Sequence, residues 1–189
     1  GRDVSFAVSA PGGLWAWGAN GSGQLGDGTT ANRLEPVQTI ASVRQVRGGA
    51  LHAIAVKTDG TVWTWGANSA GQLGDGTMTA HAAPAAVAGL TGIVAVAARA
   101  QFSLAVTGDG VVWTWGDNNG GMLGDAGVGR RSAPAPISEP GFTWLTATPG
   151  FSAASGTYTT PLNVVVTDVT PGAVIHYTTD GSDPTALDP

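Results

Sequence analysis

The sequence predicts an all-β chain: a partial β-propeller of about three four-stranded blades, followed by a second, smaller β unit. Three observations carry that expectation. One fifteen-residue phrase recurs, as WAWGANGSGQLGDGT at Trp15–Thr29, WTWGANSAGQLGDGT at Trp63–Thr77 and WTWGDNNGGMLGDAG at Trp113–Gly127, with spacings of 48 and 50 residues. The residues before each copy alternate in short apolar runs broken by turn residues, with no convincing helical period. All eight basic residues lie at or before Arg131, so the composition changes near residue 140.

The elements follow in order. The segments FAVSAPGGLW, IAVKTDGTVW and LAVTGDGVVW each hold an apolar run, a glycine-containing turn and a second run that reaches the tryptophans. They read as β-hairpins, with Asp59-Gly60 and Asp109-Gly110 at two tips and Pro11-Gly12-Gly13 in the first. Side chains alternate across a strand, so Trp15 and Trp17 share a face, as do Trp63 and Trp65, and Trp113 and Trp115. A further apolar run precedes hairpins two and three, with Ile40, Val43 and Val46 in one and Leu90, Ile93 and Val96 in the other. Each unit therefore holds three or four short strands. The alanine-rich stretch Thr79–Ala88 contains Pro84 and is read as loop. One small sheet cannot bury both faces, but side-by-side copies can. A period near 50 residues favours radially stacked blades over a leucine-rich coil.

The glycines shape the phrase itself. Gly18, Gly66 and Gly116 follow the tryptophans, and Gly26, Gly74 and Gly124 lie eight residues further on. That density suits a tight loop with positive φ. Asn20, Asn68 and Asn118 and the aspartates Asp27, Asp75 and Asp125 can bond to nearby backbone amides. Leu25, Leu73 and Leu123 are the large apolar groups that plug each loop onto the core.

The run from V-x-x-V through H-x-x-A-V to T-D-G-x-V-W-x-W-G-x-N-x-x-G-Q-L-G-D-G resembles the regulator of chromosome condensation repeat family over about residues 1–140. The resemblance implies a propeller of four-stranded blades. Copy two, Val43–Thr77, follows the pattern almost throughout. Copy three departs from it: Arg99 replaces Gly49, Phe102 replaces His52, Met122 replaces Gln72 and Ala126 replaces Gly76. Copy one has Val4 at the His52 position. Residues 141–150 read as a linker. Phe151–Thr185, within 151–189, resembles the chitobiase and β-hexosaminidase C-terminal domain family, which implies part of an immunoglobulin-like β-sandwich. Asn163–Thr167 and Ala173–Thr178 are its expected strands. The chain starts inside a repeat and stops inside the sandwich, so it is expected to be part of a longer protein. The remaining blades of that protein are expected partners of the open edges, and the isolated piece is expected to self-associate.

Composition excludes several functions. The net charge is −5, and neither part carries the basic stripe that a nucleic-acid backbone requires. Without cysteine there is no disulfide framework and no thiolate chemistry. No apolar run reaches the length of a membrane span. His52, His81 and His176 show no metal-ligand spacing, and no carboxylate or serine sits at a catalytic offset, so neither metal, cofactor nor enzyme activity is expected. His52 reads as a strand-end residue bonded to the loop of its own blade. The tryptophan pairs favour packing between blades over a sugar platform. Asp27, Asp75 and Asp125 favour turn formation over calcium binding, as do Asp180 and Asp183. Trp144 is expected to pack the junction between the units.

Candidate partner-binding residues are those in the loops that differ most between copies: Arg33, Met78, Thr79, Arg130 and Arg131. The expected function is a non-catalytic protein-interaction scaffold of a secreted or surface-anchored bacterial protein. The sandwich resemblance and the single lysine, Lys57, favour that setting. A carbohydrate-binding accessory region, with a glycan partner, is the alternative. Guanine nucleotide exchange and enzyme inhibition are remoter analogies within the fold.

Overall fold

The computed structural model describes residues 3–127, 129–137, 150–151 and 166–167. The chain divides into two compact units, Gly1–Glu139 and Pro140–Pro189. Among the described residues, the first unit holds eleven antiparallel strands in three sheets. Strands β1 (Val4–Ser9), β2 (Gly13–Gly18) and β3 (Arg33–Gln38) form the first sheet. The second holds β4 (Val43–Gly48), β5 (His52–Lys57), β6 (Val62–Gly66) and β7 (His81–Ala86), and the third β8 (Ile93–Arg99), β9 (Phe102–Thr107), β10 (Val112–Gly116) and β11 (Arg131–Pro136). Within each sheet the strands lie in sequence order. In the second unit, β12 (Gly150–Phe151) pairs with β13 (Val166–Thr167), inside the expected strand Asn163–Thr167. Trp144, His176, Asp180, Asp183 and the expected strand Ala173–Thr178 lie outside the described residues.

The middle strand of each sheet shows why the phrase is written as it is. In β6, Val62 and Thr64 point into one buried layer, while Trp63 and Trp65 share the opposite face. Past Thr64 the pairing with β7 jumps from Ala85 to His81, and the same shift occurs after Ala16 and after Thr114. Gly66 closes this irregularity at φ +104°. A Cβ there would lie 2.6 Å from the Leu51 carbonyl oxygen. Backbone crowding and the positive φ together explain the glycine after each tryptophan pair.

Two sequence expectations need correction. Thr79–Ala88 is not loop: it contains β7, which pairs with β6 despite Pro84. The strand is the edge of its sheet, where a proline removes no ladder hydrogen bond on the open side. Pro36 in β3 and Pro134 in β11 occupy the same edge. Among the described residues, the first sheet has three strands rather than four. Strand β1 corresponds to β5 and β9, and a groove of about 480 Å³ lined by Val4, Phe6, Val8 and Arg44–Gly48 lies between β1 and β4.

The core sits between the sheets. Ile54, Val56 and Val62 of the second sheet pack with Ile93, Val96, Ala105 and Trp115 of the third. Leu14 of the first sheet packs with Val43, Ala53, Ala55 and Trp65 of the second. Neither layer is enclosed by one sheet alone, so stability comes from neighbouring copies as much as from each hairpin.

Candidate interaction face

Each phrase forms a loop after the middle strand, framed by one buried asparagine. The Asn68 side-chain carbonyl accepts the Leu73 amide at 3.0 Å, and its Nδ2 donates to Asp75, Thr77 and Thr79. Asn20 repeats this with Leu25, Asp27, Thr29 and Ala31, and Asn118 with Leu123, Asp125 and Gly127. The leucines are pinned from above by the asparagine and packed from below. Leu25 and Leu73 are wholly buried, and Leu123 nearly so.

The aspartates hold the loops' second turns. Asp75 Oδ1 accepts the Thr77 amide and hydroxyl, both at 2.9 Å. Burial pushes the Asp75 carboxyl up, but the Thr77 and Asn68 hydrogen bonds and the nearby His81 outweigh it and hold it below its ordinary value. For Asp27, burial is likewise outweighed by Thr29, Arg33 and Asn20. Asp27 Oδ2 also accepts Arg33 Nε at 2.6 Å. The carboxylate oxygens of Asp27 thus already have protein donors, in keeping with the turn-forming role.

The loops also join the copies. Trp65 donates its indole N–H to the Gln24 carbonyl of the preceding copy at 2.9 Å, and Trp115 does the same to Gln72. Both rings are wholly buried. In copies two and three the second tryptophan is a packing group, its ring lying on the previous copy's glycine loop. Trp17 is only half-buried. At the other end, Gly121, Met122 and Gly124 are exposed, whereas their counterparts Gly71, Gln72 and Gly74 are buried.

His52 corrects another expectation. Its partner lies in the next copy: His52 Nε2 is 3.0 Å from Ser103 Oγ, which donates to the Gln72 carbonyl at 2.8 Å. Because the serine proton is spent on Gln72, Nε2 carries the imidazole proton. Burial pushes the His52 pKa down to about 4. The ring fills the space over residue 49, where a Cβ would lie 2.1 Å from His52 Cε1. This explains why copy three departs at both places together, with Arg99 for Gly49 and Phe102 for His52.

The five candidate partner-binding residues divide. Arg33 and Arg131 occupy equivalent places, paired with Asp27 and Asp125 of their own loops, and His81 stands likewise 3.6 Å from Asp75. Arg130 reaches from copy three to the Ser69 carbonyl of copy two at 2.9 Å. Met78 and Thr79 are exposed on the loop of copy two. The arrangement brings Arg130 to the loop of copy two and leaves Arg33 apart in copy one. Sequence reasoning missed Lys57, whose ammonium lies 3.9 Å from the centre of the Trp63 ring.

Two models of the regulator of chromosome condensation repeat match the chain, one at residues 11–56 and 59–106 and the other at 43–72 and 93–121. The chain belongs to the regulator of chromosome condensation repeat family. The chitobiase/β-hexosaminidase C-terminal domain matches residues 153–187. No curated protein matches the chain in sequence. Among solved structures, Prp20p of Saccharomyces cerevisiae, studied for its binding to Gsp1p and histones, is similar at a TM-score of 0.67 and 20% identity, over 74% of this chain and 37% of its own. Yeast RCC1 (Prp20) bound to Kap60 gives 0.67 and 21%, over 74% and 36%. Human WBSCR16 gives 0.66 and 24%, over 73% and 36%. These likenesses establish the propeller-type fold, and the chain spans little more than a third of each neighbour's length.

Proposed function

We propose that the repeats form a non-catalytic protein-interaction scaffold, with the loop face around Met78, Thr79 and Arg130 as its contact surface. One observation carries this reading. The residues common to the copies are consumed in holding the fold: tryptophans on carbonyls, asparagines on leucine amides, aspartates on threonines. What differs between copies is exposed at the loop tips, and loops on a rigid scaffold are where partners bind. The protein complexes of the yeast neighbour agree with such a role by analogy of fold alone. We further propose an extracellular or bacterial-surface setting, supported by the tail's match to the chitobiase-type domain.

The test is a bait comparison on candidate partners from the source's surface fraction. The wild-type chain should enrich a defined protein partner, and Met78→Asp with Arg130→Glu should lose it while the far-ultraviolet spectrum stays unchanged. Enrichment indifferent to both substitutions would overturn the loop assignment. The same tail match favours a second reading, a carbohydrate-binding accessory region. Selective binding to a glycan array, with no protein partner, would replace the first reading with the second.

A further inference from the structure

The three hairpins treat their first tryptophan differently. In copy one the Trp15 indole N–H donates to Ser9 Oγ at 3.2 Å. In copy two the Trp63 N–H donates to Thr61 Oγ1 at 3.1 Å, and Lys57 lays its ammonium over the ring. Asp59, at the tip of that hairpin, is held below its ordinary carboxylate value by Thr61, with a smaller contribution from Lys57. Copy two therefore holds a cation of its own: Lys57, at the end of β5, lies over the indole face of Trp63 on β6, with the Asp59 carboxylate near enough to feel its charge.

Copy three keeps the site and loses the cation. Trp113 and Asp109 stand where copy two has Trp63 and Asp59, but Thr107 replaces Lys57 and Val111 replaces Thr61. The Thr107 hydroxyl turns away to the hairpin tip, bonded to Asp109 and to Val111. The Trp113 N–H is buried without an acceptor. Where Lys57 lies in copy two, copy three has an open cavity of about 210 Å³ lined by Leu90, Thr91, Thr107, Asp109, Val111 and Trp113. Thr91 and Asp109 are exposed at its rim.

The geometry points to a binding site for a lysine side chain of a partner polypeptide, seated over Trp113 with its ammonium against Asp109. An ammonium is attracted to the negative face of an indole, most strongly where water is partly excluded. The four methylenes match the apolar wall of Leu90 and Val111, so the head can sit at the carboxylate while the stem is covered. Copy two supplies the template, since there the chain places its one lysine, Lys57, over the equivalent ring. The site lies within one repeat, on the strands and hairpin of copy three. It deepens the scaffold reading and rests on it, because the ligand is a protein side chain.

The test is nuclear magnetic resonance of the ¹⁵N-labelled chain, with the Trp113 indole resonance assigned through Trp113→Phe. The probe is the peptide acetyl-Gly-Gly-Lys-Gly-Gly-amide, against the same peptide with norleucine for lysine. The lysine peptide should shift the Trp113 resonance selectively but weakly, with half-saturation on the order of 100 mM, as suits one exposed cation–π contact. Asp109→Asn should weaken this about threefold, as suits one exposed charge pair. Thr107→Lys with Val111→Thr rebuilds copy two, so it should fill the site from within and abolish the response, with the remaining tryptophan resonances in place. Equal shifts from the norleucine peptide, or an undiminished response in the rebuilt variant, would overturn the site. If the peptide fails while the loop substitutions still release a partner, the site alone is wrong. If the peptide binds while no partner depends on the loops, the contact surface is misplaced.

Discussion

Gly74→Ala tests whether the repeated glycines serve the joint between copies or only their own loops. A Cβ at residue 74 would lie 2.7 Å from Trp115 Nε1 and 3.0 Å from two further ring atoms. The ring cannot retreat easily, because it is wholly buried and its N–H is bonded to the Gln72 carbonyl. Residue 74 also sits at φ +73°. An alanine held in the left-handed region costs about 1–2 kcal/mol, and overpacking a closed contact adds about 1–3 kcal/mol. Two controls separate these contributions. Gly76, at φ +82°, has nothing within 4 Å of the added carbon, and Gly124, at φ +72°, has only Ile137 Cδ1, at 3.4 Å. Gly76→Ala and Gly124→Ala should show the backbone cost alone. The measurement is urea unfolding followed by circular dichroism, comparing midpoints at a common slope. Gly74→Ala should be the least stable of the three by about 1–3 kcal/mol, and Gly26→Ala, facing Trp65 at 2.7 Å, should match it. Equal losses in all three would refute the claim that the glycines make room for the neighbouring tryptophan.

Three further outcomes are expected. His52 has a folded pKa of about 4 against an ordinary 6.5, so the unfolded chain takes up its proton first as pH falls. Its contribution is complete above pH 6.5 and is lost between 6.5 and about 4, by about 3 kcal/mol; unfolding free energies across that window should flatten in His52→Gln. Asn68→Ala removes the acceptor of the buried Leu73 amide and several donors, and should cost about 3 kcal/mol in chemical unfolding; a loss below about 0.5 kcal/mol would contradict the framing role. Placing Val-Arg-Gln-Val-Arg-Gly ahead of Gly1 should fill the groove between β1 and β4 and raise the Tm by several degrees; scrambled residues there should not.

Much of the fold was legible because repetition makes local chemistry redundant. Three hairpins with the same turn residues and tryptophan spacing could be placed from alternation alone, and the glycine-rich phrase announced a tight loop. Strand β7 was not legible: Pro84 and a run of alanines look like loop when read locally. Only pairing with β6 on one side, and nothing on the other, makes them an edge strand. The candidate site was less legible still. Arg33 and Arg131 could be named as variable loop cations, yet their pairing with Asp27 and Asp125 depends on the turn between them.

The sequence by itself determined the period, the strand and turn chemistry, the family and the change of composition near residue 140. These follow from side-chain alternation and backbone preference within a few residues. Tertiary structure alone decided what the repeated groups touch: Trp65 on Gln24, Trp115 on Gln72, and His52 on Ser103, 51 residues away. It also decided that two changes in one hairpin, Thr107 for Lys57 and Val111 for Thr61, leave the Trp113 indole without the cation and the hydroxyl acceptor that Trp63 has. The reason is physical. Burial and hydrogen bonding across a joint depend on which copy lies alongside, and local sequence holds no record of the distance.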